Sequence, residues 1–166
     1  MFHAQEKLLR LDAPPGALTT RDMFVPTCAT CHMSGLNGAK VTHDPSDRLS
    51  YYLADAITKP RPNHDRAQLA MKQICNQCHT TPLIDRVFTD AEKVVATTNE
   101  KVQAASDLMA ALRKEGALSG RPFTQPIDFI YFDLWHYDGR TSKHGAFMGG
   151  ADFVQWPSAP DDRTLG

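Results

Sequence analysis

No stretch of this sequence is apolar for long enough to cross a bilayer as a helix. It also lacks any convincing strand pattern, so a sheet-based fold is not expected. An excess of one charge is missing too. The 18 Lys and Arg against 19 Asp and Glu leave a net charge of -1, which gives no reason to expect nucleic acid or an anionic membrane surface as a partner. Apolar residues are slightly few for an independent core, at 42% of 166. That length suits one domain or a piece of a larger protein. Met1 to Asp12 carry Glu6, Lys7 and Arg10 and contain no apolar h-region, so they do not read as a secretory signal.

Cysteine is scarce as well, and its placement is informative. All four cysteines fall in two runs, Cys28-Ala29-Thr30-Cys31-His32 and Cys75-Asn76-Gln77-Cys78-His79. None is left over for a disulfide or a nucleophile. Each run reads C-x-x-C-H, the attachment signature of a c-type haem. Two thiols three positions apart add to the two vinyl groups of one haem, and the adjacent His supplies the proximal nitrogen. A zinc ribbon also pairs C-x-x-C, but usually with about 15–20 residues between pairs and without need of the following His. A thioredoxin-like dithiol would require a βαβ context that neither pair has. The expectation is two covalent haems c, whose apolar bulk offsets the modest core. Such haem is normally attached outside the cytoplasm, so a periplasmic or otherwise extracytoplasmic location is expected. With no export signal at Met1, the chain is expected to have lost its signal or to be a fragment.

The rest of the chain reads as mostly α. Residues 1–27, with the Pro14-Pro15-Gly16 turn, form an irregular lead-in. Ser34 to Gly38 is a loop that lets backbone pass close to a porphyrin. Asp44 as N-cap and Pro45 at the first helical position predict a helix to about Lys59, ended by Pro60 and Pro62. A second helix, Asn63 to Ile74, delivers Cys75. Thr80-Thr81-Pro82 reads as a break. The box Thr89-x-x-Glu92 then starts a helix that runs to Glu115 and stops at Gly116, roughly 39 Å long at 1.5 Å per residue. On it Val95, Thr98, Val102, Ala105, Met109 and Leu112 form a narrow stripe. That stripe packs on another helix of the same chain or, alternatively, on a neighbouring subunit. Gln125-Pro126-Ile127 opens a helical stretch through Tyr131, Trp135 and Tyr137, closed by Asp138-Gly139. Arg140 to Trp156 reads as a helix whose small residues touch haem or a neighbouring helix, and Pro157 to Gly166 as a polar tail. The expected divisions are 1–88 (haem-binding), 89–156 (helical) and 157–166 (tail).

His32 and His79 are the proximal metal ligands by motif. For the distal positions His3, His43, His64, His136 and His144 remain, although an isolated His is more often a satisfied polar residue than a ligand. His43 is favoured because it follows the first motif by a short loop and imidazole is a common axial choice. His144 and His136 come next, and His64, between Asn63 and Asp65, is expected to be solvated. Met148 is possible as a ligand, but such residues more often fill a core. With two protein ligands an iron has no room for substrate, so such haems conduct electrons.

Thr27 to Leu36, then Thr42-His43-Asp44 with Arg48-Leu49-Ser50-Tyr51-Tyr52-Leu53, resembles the octahaem hydroxylamine oxidoreductase family. The second motif, the long helix and Trp135 to Trp156 are similar to the same family, so the resemblance covers nearly everything up to Trp156. From Pro157 the chain departs, where the family usually continues with a His-Gly pair and more helix. The resemblance therefore implies a C-terminal fragment carrying the last two haem motifs. It implies a mostly helical, exported homotrimer that oxidises a small nitrogen substrate, hydroxylamine or hydrazine. Its electrons would pass through bis-His haems to an electron-accepting cytochrome or quinone-linked carrier. The substrate haem would lie upstream, so the polypeptide alone would be catalytically incomplete. In oxidising members a C-terminal Tyr bonds to the substrate haem of a neighbouring subunit. Tyr137 best matches that catalytic position and Tyr131 is second, while Arg140 and Asp138 order the pocket or cap a helix. The ordinary reading of Tyr137 is an aromatic core residue beside Trp135. The alternative for the whole chain is a stand-alone dihaem electron carrier without catalysis.

Overall fold

The computed structural model describes residues 27–150 apart from 36, 37 and 78. The expectations for residues 1–26 with His3, for Cys78 and for 151–166 lie outside them. The described residues are mostly α-helical, with four helices of eight residues or more and no sheet. In chain order these elements are a short helix α1 (Cys28–His32), a 3-10 turn (Asp47–Leu49), α2 (His64–Cys75), α3 (Thr81–Lys114) and α4 (Pro126–Asp133). A π-helical segment (Leu134–Gly139) and α5 (Arg140–Phe147) complete them.

The helix expected from Asp44 to Lys59 is only the 3-10 turn. Asp44 does act as a cap, accepting from the Ser46 N–H at 2.9 Å, but Ser50 turns left-handed at φ 64° and ends the turn. The chain then closes on itself. Tyr52 N–H donates to Lys59 O and Arg61 N–H to Ser50 O, and Tyr51 and Pro60 form an isolated bridge. Arg61 fastens this loop from outside, at 2.7 Å from Asp44 Oδ2 and 2.8 Å from Ser46 Oγ. Tertiary ties thus override a local helix signal.

The α2 helix falls where Ala67, Met71 and Ile74 recur at helical spacing, and all three are buried. The α3 helix begins earlier than expected. Thr80 is its N-cap and Pro82 lies in its first turn, where a missing N–H is harmless, so Thr89 is interior. Its 34 residues span about 51 Å and cross the expected division at 88/89. Its stop is as expected. Gly116 takes φ 76°, with Gly116 N–H on Arg113 O and Ala117 N–H on Leu112 O, the paired bonds of a Schellman end. Asp128 starts α4 and ties it back to that end, accepting from Arg113 at 2.6 Å and from the N–H groups of Thr124 and Gln125. Burial pushes the Asp128 carboxyl up, but the two backbone donors and Arg113 outweigh it and hold it below the usual carboxylate range.

Asp138-Gly139 does not close the helix. The chain runs on as π-helix into α5, and Gly139 is where it crosses α3. A Cβ there would meet Leu134 O at 3.2 Å and Thr98 Cγ2 at 3.3 Å. The stripe on α3 therefore packs within the chain, with Val95, Val102 and Met109 buried and α5 lying along α3. The main core joins Leu49, Leu53, Met71, Ile84, Phe88 and Val95, with Cys31, Tyr51, Cys75 and Phe147 against it. Burying each of the larger side chains contributes about 1.5–3 kcal/mol.

Candidate functional site

The first motif is a capped helical turn. Thr27 and Thr30 form a capping box around α1, so Cys28, Cys31 and His32 project from one turn. Arg48 fixes the chain that follows. Its guanidinium, in a residue only 2% exposed, donates to Cys31 O at 2.6 Å, to Lys40 O at 2.9 Å and to Ser34 O. His32 is buried, and its Nδ1 lies 2.7 Å from Pro45 O. A carbonyl only accepts, so Nδ1 carries the proton and Nε2 keeps the lone pair that a metal takes.

His32 and Cys28 form one wall of an apolar cavity of about 440 Å³, together with Met33 and Leu49. His144 and Met148, from the far end of the described chain, line it as well. His144 repeats the arrangement of His32, with Nδ1 2.8 Å from the carbonyl of Arg140 and Nε2 left over. The cavity is within the usual range of about 300–1,000 Å³ for small-molecule and cofactor sites. Cys28 in the lining with Cys31 on the same turn, two imidazoles whose Nδ1 atoms are engaged and an apolar lining are the donor set a covalently attached haem asks for. The residues present fit that group.

The second motif continues from α2. Cys75 is its last residue, His79 N–H bonds back to Cys75 O at 3.0 Å, and Thr80 begins α3 at once. Cys31 of the first motif and Cys75 of the second pack against the same core. Among the described residues no group of three or more His, Cys, Asp or Glu side chains gathers around a point where a metal ion would sit.

The other candidate histidines are placed differently. His43 is exposed and forms no part of the cavity wall. His64, expected to be solvated, is only partly so. Its Nδ1 meets Asp65 Oδ1 at 2.9 Å, its ring stands edge-on to Tyr51, and Nε2 is buried without a hydrogen-bond partner. His136 stacks on Phe132 with ring centroids 4.4 Å apart, and its Nε2 accepts from Arg140 Nη1 at 2.8 Å. Arg140 is thus engaged with His136. Tyr137, on the π-helical segment, is 61% exposed, whereas Tyr131 is half-buried. Exposure to that degree is not that of a core aromatic.

Two buried cations escaped the sequence reading. Arg48 is one, and Lys143 on α5 is the other. Lys143 is 0% exposed and its Nζ donates to Asp55 O at 2.8 Å and to Ala56 O at 3.3 Å. Burial pushes its ammonium down to about 8, with Arg140 acting in the same sense and Asp55 opposing. No pattern along the chain marks either residue, because their acceptors are carbonyls brought in by loops. Comparison with family models, with curated proteins and with solved structures finds no match for this chain.

Proposed function

We propose that this chain is the electron-relaying, C-terminal part of a multihaem cytochrome c of the hydroxylamine oxidoreductase kind, and that it carries two covalent haems c. The observation that carries the reading is the cavity in which Cys28 and His32 share a wall with His144. Cys28 and Cys31 would hold the first porphyrin, and His32 and His144 its iron. Cys75, Cys78 and His79 would hold the second. A haem bound in this way supplies a one-electron carrier. The chain's own part is to fix both imidazoles through Pro45 O and Arg140 O and to set both motifs on one core. Exposed Tyr137 suits a contribution to a neighbouring subunit's substrate haem, in a periplasmic homotrimer that passes electrons from a small nitrogen compound to a cytochrome or quinone-linked acceptor.

A stand-alone dihaem carrier is the second reading, favoured by the packing of both motifs on one core within the described residues. The full chain, expressed with a c-haem maturation system, should gain the mass of two haems and give low-spin spectra. A product without covalent haem overturns both readings. A stable trimer in sedimentation supports the first and counts against the second.

A further inference from the structure

The loop from Leu53 to Thr58 is held from two sides. Asn99 on α3 takes both polar backbone groups of Thr58, accepting from its N–H at 2.9 Å and donating to its carbonyl at 2.8 Å. Lys143 on α5 takes the carbonyls of Asp55 and Ala56. The loop is therefore a strut between the long helix and the helix that carries His144. Successive residues on a helix point about 100° apart. With Lys143 locked into the strut, the direction of His144 is set, and it is the direction of the cavity. Side chains reach about 5–6 Å from a helix axis, so a roll of about 30° would move the His144 ring by roughly 3 Å. That is more than a metal–nitrogen bond tolerates. Few apolar side chains share that task, since α5 is only eight residues long and carries just Ala146 and Phe147 at its end.

We infer that Lys143 is a positioning residue, whose grip on the carbonyls of Asp55 and Ala56 fixes the roll of α5 and aims His144 at the cavity shared with His32. The inference rests on the haem reading and adds to it the device that completes six-coordination at the first motif. It is tested in the full chain matured with haem. Lys143→Met keeps the length of the side chain and removes its donors, and Lys143→Gln keeps a donor. His144→Ala serves as the reference for a first haem without its distal imidazole.

In Lys143→Met one of the two haems should become high-spin and bind carbon monoxide when reduced, as in His144→Ala, while the other stays low-spin. Lys143→Gln should retain a larger low-spin fraction than Lys143→Met. Asn99→Ala unfastens the other end of the same strut and should shift the same haem toward high spin, by less than Lys143→Met does. Low-spin, carbon monoxide-insensitive haems throughout in Lys143→Met would overturn the inference. So would loss of haem from the first motif altogether, which assigns Lys143 to folding rather than to aim. If Lys143→Met gives no folded product, Lys143→Ala, which also lacks the donors, decides, and wild-type spectra from it overturn the inference. Absence of covalent haem in the wild-type chain sinks the haem reading itself and is told apart by mass.

Discussion

Gly139→Ala tests the packing that sets α5 on α3. Two effects oppose each other. Helix propensity favours Ala by about 1 kcal/mol. The backbone does not object, since Gly139 has an ordinary helical φ of -63°. Space does object. The new methyl would lie 3.2 Å from Leu134 O, 3.3 Å from Thr98 Cγ2 and 3.7 Å from Val102 Cγ2. Comfortable separations between carbon atoms are about 3.5–4.0 Å. Leu134 O is backbone within the π-helical turn and cannot rotate away, so the strain must move a helix. Overpacking of this kind costs about 1–3 kcal/mol, which exceeds the gain in propensity. The expected net loss is about 1 kcal/mol, or roughly 2–4 °C in Tm for a chain of this size. Thr98→Ser removes one of the two close contacts. In the Gly139→Ala background it should return about 0.5 kcal/mol or more relative to its effect alone. Urea unfolding of the holoprotein, followed by far-UV circular dichroism, measures all four corners of the cycle. A higher midpoint for Gly139→Ala, or strictly additive effects, would refute the argument that Gly139 is there for the crossing.

Arg48→Met removes three charge-assisted hydrogen bonds to carbonyls but also withdraws a buried cation. The expected net loss is about 2–4 kcal/mol in urea unfolding, and a change below about 0.5 kcal/mol would show that the loop after α1 stands without it. Asn99→Ala leaves the N–H and carbonyl of Thr58, a residue 4% exposed, without their partner. It should cost about 2–4 kcal/mol and speed exchange of the Thr58 amide, whereas unchanged protection at that amide contradicts the strut. Asp128 gives a pH signature. Its carboxyl is held below its unfolded value, so the stabilisation is fully present above about pH 4 and is lost as pH falls through the lower folded value. Asp128→Asn should flatten the acid limb of the urea-midpoint profile between pH 5 and pH 2 (a window of about that width follows from the linkage relation), and an unchanged limb would assign the acid sensitivity elsewhere.

What was legible in the sequence was what chemistry or one helix dictates locally. The two C-x-x-C-H runs stand out because thioether attachment demands thiols three positions apart with a His beside them. The span of α2, from Asn63 to the second motif, was readable, as was the end of α3 from Gly116. The misreadings came from competition between local signals and distant partners. Asp44 and Pro45 look like a helix start, yet Arg61 and the left-handed Ser50 bind the chain into a loop. Pro82 looks like a break, yet in the first turn of a helix a proline fits. His64 looks polar by its neighbours, yet Tyr51 and the fold cover its Nε2.

On the haem reading proposed above, the two sides of the first site would differ in the same way. The proximal side is local, because the cysteines and His32 are covalently one turn of helix. It needs only Pro45 O and Arg48 to be finished. The distal side is delivered by tertiary structure alone. His144 reaches the cavity because Gly139 lets α5 lie on α3, and because Lys143 reaches carbonyls 88 and 87 residues earlier in the chain. A motif search therefore finds the half of the site that chemistry fixes and is blind to the half that packing fixes. The same asymmetry predicts how the site fails. If the proposed haems are present, damage near the motif should prevent haem attachment, whereas damage to the α3–α5 crossing should leave haem attached and free the sixth position of its iron. Gly139→Ala belongs to the second class. It should raise the carbon monoxide-binding fraction of the first haem without reducing the haem mass, and loss of that haem instead would show that the distal packing is needed for attachment too.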